Sequence, residues 1–108
     1  MIPDFPTLVQ THLFWGRDRA VTIGRIAEDM DASRRSVEQA IEQLRRDGSP
    51  ICTGSPGVWL SVDSRELYRN ADALRSRGIK VLIGARALRA TARRFERVQQ
   101  TTLFGEVA

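Results

Sequence analysis

Leu67, Leu74, Val81, Leu88 and Phe95 recur every seven residues, and Ala71, Gly78, Ala85 and Ala92 fall four residues after each of the first four. A seven-residue apolar repeat marks a helix with one side kept dry along its length, so residues 63–99 are expected to form a single long helix. Asp63 with Glu66 three residues on resembles a capping box and sets its start. At 1.5 Å per residue such a helix is about 50 Å long, more than residues 1–62 can cover. Its seam therefore calls for a partner helix, and a homodimer through this seam is the expectation. The alternative is a helix folded back on its own domain. Gly78 and Gly84 each cost about 1 kcal/mol against Ala in a helix interior, which makes them the places for a break, but the unbroken spacing speaks for continuity.

The other 62 residues must then supply the core. A chain of 108 residues fits one small domain with an appendage, and 42% apolar with 28% charged residues is enough to bury a core. The net charge of +4 suggests an anionic partner such as nucleic acid, and its distribution says more than its sum. Residues 1–60 carry seven Arg against eight acids, whereas residues 61–108 carry ten basic residues against five acids. Between residues 73 and 97 there are eight basic residues and a single acid, Glu96. No apolar run approaches the roughly eighteen residues of a membrane span, and Met1-Ile2-Pro3-Asp4 lacks the start of a secretion signal, so a cytoplasmic protein with no membrane partner is expected. The single cysteine, Cys52, with only His12 as a companion, makes neither an internal disulfide nor a structural zinc site. It reads as a small apolar residue in a strand.

Along the first 62 residues the pattern is helical three times and then extended. Pro6 at a first helical position opens helix one, with Leu8, Val9, Leu13 and Phe14 on its apolar stripe and Gly16 as its end. Val21 offers one extended residue. Thr22 caps a second helix through Met30, with Ile23, Ile26, Ala27 and Met30 buried. Asp31-Ala32 makes a tight turn, Ser33 caps a third helix carrying Val37, Ala40, Ile41 and Leu44, and Gly48 stops it. Ile51-Cys52-Thr53 and Val58-Trp59-Leu60, joined by Gly54-Ser55-Pro56-Gly57, read as a two-stranded hairpin. Trp59 reads as a core residue that anchors it. The fold class is mainly α with a small β-hairpin, followed by a long C-terminal helix.

The segment Arg25 to Gly48, RIAEDMDASRRSVEQAIEQLRRDG, resembles the winged helix-turn-helix family, and the resemblance covers residues 6–62. Ala27 is small where two helices cross, and Asp31 stands where many members have Gly, at a turn residue that must tolerate the left-handed region. The resemblance implies that the third helix enters the major groove of double-stranded DNA, which makes Ser33, Arg34, Arg35, Ser36 and Gln39 the candidate contacts. It also implies that the hairpin, or wing, lies along the backbone through Ser55 and Gly57. Glu38, Glu42 and Asp47 work against phosphate attraction, and the wing tip has no basic residue. Arg86, Arg89 and Arg93 of the long helix, with Arg94 and Arg97, are candidates to supplement it, the alternative being that they solvate the helix. If the face does not bind DNA, the domain is a protein-binding platform. A winged helix followed by an Arg-rich helix looks like small DNA-binding proteins carried by bacteriophages and prophages.

Residues 100–108 are expected to form a loose tail. Within it, Gln100, Leu103 and Phe104 resemble the short peptide by which bacterial replication and repair proteins bind the sliding clamp, in which an extended segment sets two apolar side chains in a cleft. The alternative is that Leu103 and Phe104 close the long helix against the domain. No phosphate-binding glycine loop, metal constellation or nucleophile with a matching base is present, so neither an enzyme nor a cofactor is expected. The sequence thus leaves two functions of different class: a sequence-specific DNA-binding regulator, and an interaction protein acting on the replication clamp.

Overall fold

Helix starts in this protein fall where a side chain can take over an orphaned backbone N–H. In the computed structural model, which describes residues 2–105 and the side chains of residues 2–101, helix α1 spans Phe5–Gln10, α2 Ile23–Asp29, α3 Arg34–Arg46 and α4 Ser64–Gly105. Asp4 accepts from Thr7 N–H at 3.0 Å, Thr22 from Arg25 N–H at 3.1 Å, Ser33 from Ser36 N–H at 3.0 Å and Asp63 from Arg65 N–H at 3.0 Å. Strands β1, Ile51–Gly54, and β2, Gly57–Leu60, pair antiparallel with Ile51 opposite Leu60 and Cys52 opposite Trp59. The chain divides into two units, Met1–Ala71 and Asp72–Ala108. Among the described residues, no helix is long and apolar enough to cross a membrane.

The first unit holds the core. Val9, Leu13, Ile26, Ala27, Val37, Ala40, Ile41, Leu44, Ile51, Val58 and Leu60 form one buried cluster, with Phe5, Val21, Ile23 and Met30 packed against it. Asp31 adopts φ +51°, and Ala32 N–H donates to Ala27 O at 2.9 Å, so α2 turns into α3 as expected. After α3, Gly48 takes φ +99° while its own N–H bonds to Arg45 O and that of Ser49 to Leu44 O, the paired bonds of a Schellman stop. Val21 is extended as anticipated, exchanging both backbone hydrogen bonds with Val58.

Three expectations need correction. Helix α1 ends at Gln10, not at Gly16, and Pro6 is its second residue, after Phe5. The Thr11 hydroxyl donates back to Leu8 O at 2.6 Å, and the chain then extends so that Phe14 O accepts from Leu60 N–H and Gly16 N–H donates to Leu60 O. That pairing takes Phe14 off the core side, where it is half exposed, while Leu13 stays buried. The capping box at α4 is only half made. Asp63 caps, but Glu66 turns away to accept from the Trp59 indole N–H at 2.6 Å. Finally, α4 runs unbroken through Gly78 and Gly84 and on to Gly105, so residues 100–105 are helical where a loose tail was expected. No Gly or Pro interrupts the chain between Gly84 and Gly105, and a helix once started adds residues cheaply.

The opening turns of α4 belong to the first unit and complete it. Ile51 and Leu60 face the core, so the alternation of a strand sets Cys52 and Trp59 on the hairpin's other face. Both are nevertheless buried. Glu66 meets the Trp59 indole there, and the Asn70 amide engages both backbone groups of Thr53, accepting from its N–H and donating to its carbonyl. The free edge of β1 is thereby closed by a side chain. Among the described residues no buried side-chain nitrogen or oxygen lacks a hydrogen-bond partner.

Candidate nucleic-acid interface

Burial of Val37, Ala40, Ile41 and Leu44 fixes how α3 is turned. At 100° per residue the opposite side carries Arg35, Gln39, Glu42 and Arg46, all of them exposed. Of the residues singled out from sequence, Arg35 and Gln39 are on this outward side and exposed. Ser33 is the cap, and its hydroxyl shares a 2.8 Å hydrogen bond with that of Ser36, which occupies one bonding direction of each. Ser36 and Gln39 also border an open groove between α1 and α3, floored by Ala40 and walled by Phe5 and Pro6.

Arg34 is placed differently from its neighbour. Its guanidinium lies against α2, where a Cβ added to Gly24 would come within 2.9 Å of Nη2. Gly24 is thus the seat for Arg34, and Arg35 is the arginine that points away from the domain. A similar division separates Arg45 from Arg46. Arg45 reaches β1, donating to Ile51 O at 3.0 Å and to Thr53 Oγ1 at 3.1 Å, which locks the hairpin to α3. Arg46 is on the outward side and donates to Gln43 Oε1 at 3.0 Å. With Glu42 between Arg35 and Arg46 and Glu38 alongside, this surface is close to neutral.

At the hairpin tip Ser55 and Pro56 are exposed. Gly57 has another task. At φ +128° it passes so close to Val21 that a Cβ would sit 2.5 Å from Val21 O, so its lack of a side chain is demanded by the sheet. The tip itself has no basic residue, but two arginines that the sequence reading passed over lie at the hairpin's flank. Arg17 stacks over the Trp59 ring at 5.6 Å from its centroid, and Arg69 lines the same shallow depression with Thr53, Glu66 and Asn70. No local pattern announces either one, because both arrive through contacts distant in sequence. Cys52, beneath this surface, has its thiol pushed above the ordinary range, first by burial and then by the charge of Glu66, with Arg45 acting against. A thiol held protonated and buried is a packing group, not a nucleophile.

In the second unit Arg86, Arg89 and Arg93 are exposed on one side of α4 at spacings of three and four, and Arg97 continues the row. The seam positions Val81, Leu88 and Phe95 are 70%, 70% and 63% exposed, so this apolar strip is bare from Val81 to Phe95. Ala71, Gly78, Ala85 and Ala92 accompany it, while Leu67 and Leu74 are half-buried. Gln100 is exposed on the helix; the side chains of Leu103 and Phe104 lie outside the described residues. No protein-family model, curated protein or solved structure matches this chain.

Proposed function

We propose that this chain is a winged helix-turn-helix protein that binds double-stranded DNA as a homodimer, without enzymatic activity, as a regulator of the kind phages and prophages carry. The observation that carries the reading is the exposed N-terminal half of α3. It is capped by Ser33 and held by a sharp turn at Asp31, and it turns Arg35 and Gln39 outward from a rigid core. A helix of this kind meets base edges with its first turns, where Arg suits guanine and Gln suits adenine. Ser33, Ser36 and the Ser55 hairpin tip serve the phosphates, and Gly57 serves the hairpin. Arg34, seated on Gly24, contributes charge near the helix start. Because the surface is almost neutral, the affinity is supplied largely by Arg86, Arg89 and Arg93.

The test is to select bound fragments from genomic DNA and measure variants on the winners. Arg35→Ala should cost about 1–3 kcal/mol and relax the preference at one or two positions. Arg93→Ala should weaken all sequences alike and reduce the salt slope by about one. Unchanged affinity in both variants removes the proposal. The second reading, a factor that binds the bacterial sliding clamp through Gln100, Leu103 and Phe104, rests on that motif. It requires the last turn of α4 to open into an extended segment. A peptide of residues 98–108 that fails to bind purified clamp ends it.

A further inference from the structure

The bare strip on α4 has a size pattern, and the pattern is directional. Ala71, Gly78, Ala85 and Ala92 alternate with Leu74, Val81, Leu88 and Phe95. In a parallel pair of helices each seam residue meets its own counterpart. Gly78 would then face Gly78 of the partner subunit and Phe95 would face Phe95 of the partner subunit, leaving a void in one layer and crowding in another. In an antiparallel pair small layers meet large ones. With Ala85 set against the partner's Leu88, Ala92 meets the partner's Val81, and the smallest residue, Gly78, meets the partner's Phe95, the largest.

Charge chooses the same register independently. Glu96 is the single acid among residues 73–97, and on its own helix it forms no ion pair. Flanking the seam in this register, it stands beside the partner's Arg75, and the symmetry makes that contact twice. Sliding the pair by one heptad in either direction still sets small against large. It also brings Arg75 beside the partner's Arg89, or Arg89 beside the partner's Arg89, at a cost in repulsion. Arg86, Arg93 and Arg97 lie away from the seam in every case, free for phosphate.

We infer that α4 is the interface for a second copy of this chain, joined antiparallel in the register that opposes Gly78 to the partner's Phe95 and Arg75 to the partner's Glu96. This rests on the homodimer reading above and adds its direction. The two chains enter the paired helices from opposite ends.

The experiment measures dimer affinity of the full chain by sedimentation equilibrium. Arg75→Glu and Glu96→Arg should each weaken the dimer by about tenfold, since each replaces two attractions by two repulsions. The double variant should return to the native affinity. On one helix the two positions are about 31 Å apart, so neither a parallel pair nor an isolated chain can produce that rescue. A second measurement uses thiols, Cys52 being buried. Val81→Cys and Ala92→Cys chains should cross-link when mixed and not when oxidised separately, since each position lies about 16 Å along the axis from its own copy in this register. Cross-linking of each variant with itself, or a double variant weaker than either single, overturns the direction while leaving a dimer. A chain that sediments as a monomer at every concentration overturns the homodimer reading as well.

Discussion

The two units of this chain handle apolar residues in opposite ways. In residues 1–71 eleven buried apolar residues converge on one cluster, and nine basic residues stand against ten acids. Among the described side chains of residues 72–101 most lie exposed along a helix, and residues 72–108 set eight basic residues against three acids. The first unit is specified by burial and carries little net charge; the second carries the charge, and none of its described side chains, up to residue 101, is buried. On the proposal that the chain binds DNA as a dimer, the contrast becomes a separation of tasks, with shape recognition falling to the nearly neutral surface of the first unit and attraction to the basic helix of the second.

The contrast is broken most sharply by trimming one apolar residue in each unit. Ile26 is fully buried, and Ile26→Ala should lower unfolding stability by about 2–5 kcal/mol in chemical denaturation. Val81→Ala, at an exposed site, should change the unfolding of a dilute chain by less than about 0.5 kcal/mol and act on dimer affinity instead. Comparable losses at both sites would mean that α4 is packed in the isolated chain. A finer probe concerns the join to α4. Trp59→Phe strands the Glu66 carboxylate under the hairpin and should cost about 1–3 kcal/mol, part of it recovered by Glu66→Gln in the double variant. The smallest effect is at Asp4, whose hydrogen bonds from Thr7, side chain and backbone, hold its carboxyl below the ordinary range. A depressed acid stabilises above its unfolded value, about 3.9, and loses that contribution as pH falls through the folded one. Acidification should therefore fray α1 first, followed by the Thr7 amide signal, and Asp4→Asn should flatten the response.

Legibility from sequence tracked range along the chain. Thr22, Ser33, Asp31 and Gly48 act on residues within about one helical turn, and each cap or turn formed where its residue type calls for it. Helix α1 was overextended because the pairing of residues 14–16 with Leu60 is tertiary and leaves no periodic trace. Glu66 is nominated as a cap and Asn70 not at all for the same reason: their partners, Trp59 and Thr53, belong to the hairpin, and a cap-forming Glu looks the same whether or not it turns back. At the candidate interface the sequence could nominate Arg34 and Arg35 together. Only the small residue at Gly24 separates the one that lies down from the one that stands out.

The closure of β1 by Asn70 has a kinetic consequence. A helix in water is slow to start and quick to extend, because the first turn fixes several residues for a single hydrogen bond. In α4 Asp63 caps the start, and Glu66 and Asn70 hold the opening two turns against the hairpin. The N-terminal unit thus acts as a template from which the long helix grows. In a chain too dilute to pair, hydrogen exchange along α4 should accordingly quicken steadily away from Asn70, with opening that begins at the far end and travels inward.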